Sequence, residues 1–173
     1  MKTNFDPSFD KVMQSEGGYV WDKDDAGGET NLGVTIGAWS AYLGRPINSG
    51  EMKALTKDTV KPFYKQMYWD KVRGDDLPKG VDYAVFDFAV NAGIGRATKF
   101  LQRAVGAIDD GAIGPSTLAA VAKTLTKTLL ANFAKQKEDF YRGLAEKNAS
   151  QQKFLKGWLA RVEHVNNDAI DMC

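Results

Sequence analysis

A mainly α fold is predicted for this 173-residue chain by three observations. Apolar residues recur at helical spacing through most of its length. One central stretch is apolar on nearly every side. The only sign of β structure is one short glycine-rich segment near the N-terminus. With 43% hydrophobic and 26% charged residues, the composition is that of a globular chain long enough to bury a core.

Phe5, Phe9, Val12, Met13 and Glu16 follow a 3.6-residue period and predict a first helix, which Gly17-Gly18 end as glycine does at helix C-termini. From Tyr19 to Gly37 the sequence is polar and glycine-rich, with short apolar ends (Tyr19-Val20-Trp21 and Leu32-Gly33-Val34-Thr35-Ile36), which predicts a loop with a small hairpin. Helical spacing returns over Ile36–Leu43 and over about Thr56–Val72, with Pro62 toward the front. Val81–Ala92 (VDYAVFDFAVNA) reads as a buried central helix closed by Gly93 and Gly95. Further helices are predicted over Arg96–Val105, Pro115–Lys123, Lys127–Lys147 and Gln151–Asp168, with Pro115 suited to a first helical turn. The loop Gly106–Gly114 is the best candidate for a joint.

The charge balance excludes several function classes. There are 23 basic and 22 acidic residues, and neither side of Gly80 carries a basic excess large enough to hold nucleic acid or an anionic membrane. One cysteine, Cys173, and one histidine, His164, exclude an internal disulfide, a cysteine-based zinc site and a multi-histidine centre. No metal or cofactor is expected. The N-terminus Met1–Asp6 lacks a signal-peptide apolar run, and no stretch approaches membrane-spanning length. Synthesis in the cytoplasm without stable membrane insertion is expected, and an external target then requires a separate route of release.

Glu16 is the most informative position. A carboxylate seldom extends the apolar stripe of a helix unless it is paired or functional. Partial burial and the negative end of the helix dipole both disfavour its charged form, as a general acid working near neutrality requires. The plainer alternative is a glutamate marking where the stripe leaves the core. Asp22, Asp24, Asp25 and Glu29 follow within eight residues. A calcium loop of the EF-hand kind fails, because Ala26 and Gly33 stand where ligands are needed. A carboxylate partner for Glu16 and a solvated acidic turn both remain open. Trp39 and Trp158 read as core and His164 as surface. Lys135–Lys147 reads as a solvated face with Leu129, Phe133, Phe140 and Leu144 turned inward.

Ser15-Glu16-Gly17-Gly18-Tyr19, followed by Asp25-Ala26-Gly27-Gly28-Glu29-Thr30-Asn31-Leu32-Gly33-Val34-Thr35, resembles the start of the glycoside hydrolase family 108 lysozymes. Tyr68-Trp69 and Asn91-Ala92-Gly93 extend the resemblance. Val85–Gly95 through Asp110-Gly111-Ala112-Ile113-Gly114-Pro115-Ser116-Thr117-Leu118 resembles the peptidoglycan-binding region that follows in that family. The resemblance implies a lysozyme-like helical fold, with a catalytic region over 1–90 and a helical peptidoglycan-binding region over 91–173 packed as one compact unit. It also implies an N-acetylmuramidase of the kind found as phage endolysins and in bacterial secretion or release systems. Such an enzyme cleaves the β-1,4 bond between N-acetylmuramic acid and N-acetylglucosamine, with Glu16 as the acid.

A looser similarity is to the glutamate–aspartate–threonine set of phage T4-type lysozymes. Asp25 lies nine positions after Glu16 and Thr30 five after Asp25, one short of that spacing, where Asn31 stands in the strict place. Asp25 and Thr30 are therefore the implied partners of Glu16, with Asp22 or Asp24 as substitutes for Asp25. Tyr19, Tyr68, Trp69 and Asn91 are the candidate glycan contacts, with Trp21 as a further aromatic candidate; core packing is the alternative for the aromatics, and a helix-end role for Asn91. A lytic transglycosylase using the same glutamate, or a non-catalytic wall-binding secretion helper, are the rival functions. The resemblance further implies that peptidoglycan is the partner, that a holin or similar export partner gives access to the periplasmic wall, and that the protein is a monomer. A T4-like arrangement implies inversion, for which the carboxyl groups stand about 6.5–9.5 Å apart, against about 5–5.5 Å in retaining enzymes.

Overall fold

The computed structural model describes residues 4–21 and 28–173. In chain order the elements are α1 (Phe5–Ser15), β1 (Val20–Trp21), β2 (Glu29–Asn31), β3 (Val34–Thr35), α2 (Ile36–Leu43), α3 (Ser49–Lys53) and α4 (Lys57–Tyr64). A π-helical turn (Lys65–Trp69) and a 3-10 turn (Gly74–Asp76) lead to α5 (Val81–Ala92) and α6 (Ile94–Ala104). α7 (Pro115–Lys123), α8 (Thr126–Lys147), a 3-10 turn (Ala149–Gln151) and α9 (Gln152–Asp171) complete the chain. The mainly α class is therefore observed. Among the described residues, no helix is long and apolar enough to cross a membrane.

The chain forms two compact units, Asp6–Met67 and Tyr68–Cys173, the latter including the N-terminal residues through Phe5. The loop Gly106–Gly114 lies within the second unit.

In the first unit, α1 buries Phe9, Val12 and Met13, the stripe read from its periodicity. Phe9 meets the edge of Tyr64 at 5.7 Å, and Phe63 joins Tyr64 to Trp39 through further edge-to-face contacts. Trp39 is core, as expected. The strands form one antiparallel sheet in the order β1-β2-β3, with Val20 opposite Thr30 and Asn31 opposite Val34. Thr35 caps α2 by accepting from the Ala38 amide at 3.1 Å, and Gly44 ends it with φ +70°. Asn48 and Glu51 form a reciprocal capping box on α3, a short helix absent from the sequence reading. The helix expected over Thr56–Val72 is interrupted: α4 stops at Tyr64 and the chain widens into the π turn.

The second unit is built around α5, whose residues Val81–Ala89 are all buried. Gly93, with φ +93°, ends α5 and starts α6; Gly95 lies inside α6, not at the end of α5 as expected. Trp158 is half-buried and stacks on Tyr141 at 5.1 Å. Two carboxylates sit within this apolar helix. Asp87 accepts from Arg161 Nη2 of α9 at 2.8 Å, and Lys137 Nζ of α8 stands 4.0 Å from its other oxygen. Lys137 corrects the reading of Lys135–Lys147 as a solvated face: only 4% of its side chain is exposed, and its ammonium lies over the rings of Phe88 and Phe133. Burial pushes its pKa down, while Asp87 opposes the shift. His164 is exposed, as expected, 3.6 Å from Asp168.

Candidate active site

The site is built from the end of α1 and the tip of the hairpin. Glu16 follows Ser15 directly and is half-buried. Gly17 and Gly18 end the helix without the left-handed conformation expected of a glycine cap, since neither has positive φ. No described atom lies within 4 Å of where a Cβ on either would stand.

β2 and β3 are joined by the two residues Leu32-Gly33, with φ +50° and +75°, as a type I′ turn demands. Glycine adopts this region at no steric cost, whereas a left-handed leucine costs about 1–2 kcal/mol. Outside contacts restrain that leucine. The Leu32 amide donates to the Gly17 carbonyl at 3.1 Å, and its carbonyl accepts from the Tyr64 hydroxyl at 2.8 Å. The tip then lies directly on the Glu16 carboxyl group. A Cβ added to Gly33 would stand 2.5 Å from both Glu16 Oε2 and Tyr64 Oη, and 3.0 Å from Glu16 Cδ.

Strand alternation sorts the polar residues of β2 between two faces. Glu29 and Asn31 are buried toward α3, where Glu29 Oε1 accepts from the Ser49 hydroxyl and Asn31 Nδ2 donates to the Met52 carbonyl at 2.7 Å. Asn31, which holds the strict T4-type position, is thus committed to α3. Thr30 is half-buried on the opposite face. Tyr19 is half-buried with the Lys53 ammonium 5.2 Å from its ring centre. Its hydroxyl pKa is raised, first by desolvation and then by the Glu29 carboxylate. Asp25, with Asp22 and Asp24, lies outside the described residues, and so does most of the rejected calcium loop.

Tyr68, Trp69 and Asn91 belong to the second unit. Tyr68 is half-buried. Trp69 is corrected: it is fully buried, edge-on to Phe5 at 5.4 Å and Phe86 at 5.5 Å, with Nε1 donating to Asp75 at 2.8 Å. Gly74 lies flat on its indole, where a Cβ would overlap the ring. Both faces and the polar edge are occupied by protein, so Trp69 is a core residue and offers no face to a sugar. Asn91 is exposed, and its amide donates back to the Asp87 carbonyl at 2.7 Å, one turn earlier on α5. Trp21, on the edge strand β1, is 58% exposed. The sequence reading did not single out Tyr64 or Gly33. The glycine-rich segment with its short apolar ends was a hairpin signal, but nothing local marks a tyrosine whose hydroxyl reaches a turn 32 positions earlier.

Residues 9–93 match the family model described as Glycosyl hydrolase 108, and residues 96–163 match one described as Predicted Peptidoglycan domain. The chain is similar to the solved structure of Brucella abortus SagA, at 40% identity and a TM-score of 0.83, over 97% of this chain and 94% of that one. The chain belongs to the glycosyl hydrolase 108 family. It is a glycoside hydrolase with a peptidoglycan-degrading, muramidase-like function and a lysozyme-like fold, and peptidoglycan is its partner. None of the curated proteins compared with this family member matches it. The glycosyl hydrolase 108 match ends at residue 93, just past α5, and the peptidoglycan match begins at 96, in the first turn of α6. That boundary falls inside the second compact unit, so the family regions and the packing units divide the chain differently.

Proposed function

We propose that this glycosyl hydrolase 108 member hydrolyses the β-1,4 bond between N-acetylmuramic acid and N-acetylglucosamine, with Glu16 as the general acid. The observation that carries the reading is the seat of Glu16, half-buried at the C-terminal end of α1 with the Leu32-Gly33 turn against its carboxyl group. Half-burial and the helix end both disfavour negative charge there, which favours a carboxyl able to give up a proton near neutrality. Protonated Glu16 donates to the departing glycosidic oxygen as positive charge develops on the sugar. Asp25 stabilises that charge or orients the attacking water, and Thr30 helps to hold the water. Tyr19, Tyr68 and Asn91 contact the glycan. The enzyme is made in the cytoplasm, acts as a monomer, and reaches the periplasmic wall after release through a holin or similar partner.

The test is turbidity loss of outer-membrane-permeabilised Gram-negative cells, comparing wild type with Glu16→Gln after both are shown to be folded. Glutamine keeps size and hydrogen bonding but has no transferable proton, so a loss of about 10²–10⁴-fold is expected. Equal lysis by both proteins sinks the assignment of Glu16. Product mass separates the rival chemistry: hydrolysis adds one water per bond broken, whereas a lytic transglycosylase leaves a 1,6-anhydro end and adds none.

A further inference from the structure

The Leu32-Gly33 turn is held in a costly conformation at the one place where it meets the acid, which raises the question of what holds it. A phenol has a single proton, and that of Tyr64 goes to the Leu32 carbonyl at 2.8 Å. The other polar group of Leu32, its amide, is bound to the Gly17 carbonyl, one residue past Glu16. Both backbone groups of the left-handed leucine are therefore tied, one to the strand of chain that carries the acid and one to α4. Tyr64 itself has little freedom. It is 1% exposed, and the rings of Phe9 and Phe63 each stand 5.7 Å from its own. It is the last residue of α4 before the π turn Lys65–Trp69, and π turns recur beside functional sites. Its hydroxyl and Glu16 Oε2 converge on the same point beside Gly33, each 2.5 Å from where a Cβ would stand.

We propose that Tyr64 is a positioning residue for Glu16: its hydroxyl fixes the Leu32 carbonyl, and with it the left-handed turn, so that Gly33 closes against the Glu16 carboxyl and gives the acid one orientation toward the glycosidic oxygen. The inference rests on the reading of Glu16 as the acid. Tyr64 never touches the sugar, so its hydroxyl contributes to the chemical step and little to substrate affinity. Misplacing a reacting group by about 1 Å can cost about 10²-fold in rate.

The experiment is steady-state hydrolysis of soluble peptidoglycan strands by the full chain carrying Tyr64→Phe, with thermal melting and Glu16→Gln in parallel. The expected result is a kcat lower by about 10- to 100-fold with KM within about twofold. Tyr64→4-aminophenylalanine, which restores a donor to the Leu32 carbonyl, should bring kcat back to within about threefold of wild type. A folded Tyr64→Phe enzyme with wild-type kcat overturns the proposal, as does one whose loss lies wholly in KM. If Tyr64→Phe does not fold, the 4-aminophenylalanine variant decides: folded with near-wild-type kcat supports the role, and folded with kcat lost overturns it. An active Glu16→Gln enzyme removes the acid and the proposal together. An inert Glu16→Gln beside a wild-type Tyr64→Phe removes the proposal alone.

Discussion

Gly33→Ala is the most informative single substitution, because one added carbon meets both the turn and the Glu16 carboxyl group. At φ +75° the alanine adopts a left-handed conformation costing about 1–2 kcal/mol. Its Cβ would also stand 2.5 Å from Glu16 Oε2 and Tyr64 Oη, against about 3.3–3.6 Å for a close carbon–oxygen contact. Tyr64 is enclosed by Phe9 and Phe63 and cannot swing away, so the Glu16 carboxyl group must give up its place or the turn must open. Overpacking of this kind costs about 1–3 kcal/mol, which brings the expected loss to about 2–5 kcal/mol. A domain of ordinary stability survives this, at about 5–15 kcal/mol in total. Urea unfolding should show the loss, and peptidoglycan hydrolysis by the folded fraction should fall with it because Glu16 is displaced. Gly17→Ala is the control at the residue that follows Glu16 in the chain. It has no positive φ and no described atom within 4 Å of the new carbon. Its stability should be unchanged or higher by up to about 1 kcal/mol. A Gly33→Ala protein as stable and active as wild type refutes the reasoning, as does a Gly17→Ala protein that loses as much.

Four further outcomes follow from the second unit. Asp82 is buried at the start of α5 and burial raises its pKa from 3.8 to about 6, despite bonds from the Tyr83 amide and Asn4. The folded state holds this proton more tightly than the unfolded chain, so the contribution is full below about pH 3.8 and lost as pH rises through about 6. The melting temperature of wild type relative to Asp82→Asn should fall across that window, and parallel pH curves would contradict it. Lys137→Met should be tolerated within about 1 kcal/mol or be stabilising, since Asp87 keeps Arg161 at 2.8 Å. Asp87→Leu should cost about 3–5 kcal/mol in denaturant unfolding by leaving the buried Lys137 and the half-buried Arg161 without their shared carboxylate, and a milder effect than Lys137→Met would reverse the argument. Gln102→Leu removes an amide that reaches Asp110, Ala112 and Thr117 and accepts from Gly111. A loss of about 2–4 kcal/mol is expected, with faster amide exchange in the 109–114 loop.

Much of the fold was legible because its punctuation is local. α2, α5 and α7 begin and end where the sequence predicts, set by Thr35 and Gly44, by Gly80 and Gly93, and by Gly114-Pro115. α3 was missed because five residues with one buried apolar side chain, Met52, carry no periodicity. The π turn was missed because its apolar positions continue the helical pattern while its hydrogen bonds do not. At the site, Glu16 stood out as a carboxylate on an apolar stripe. Trp69 misled because an aromatic at helical spacing looks the same whether it packs on Phe5 and Phe86 or on a sugar. Tyr64, Glu29 and Lys137 each take their meaning from a partner far along the chain, which no local pattern encodes.

The two motifs that carried the family resemblance are physically of different kinds. In Asp110-Gly111-Ala112-Ile113-Gly114-Pro115-Ser116-Thr117, Gly111 takes φ +84°, and Asp110 accepts from the Ala112 amide and from Gln102, which hold its carboxyl below the ordinary range. The Thr117 hydroxyl also turns to Gln102, the Ile113 side chain is buried, and Pro115 opens α7. Loop geometry and helix entry account for these residues without any ligand. Glu16-Gly17-Gly18-Tyr19 is the reverse case. Its glycines meet no steric or conformational demand among the described residues, and its glutamate ends an apolar helix stripe, half-buried. The contrast favours the Glu16–Tyr19 motif over the 109–117 loop as the seat of the proposed acid, because a turn is set against its carboxyl group and its glycines answer no demand of the fold.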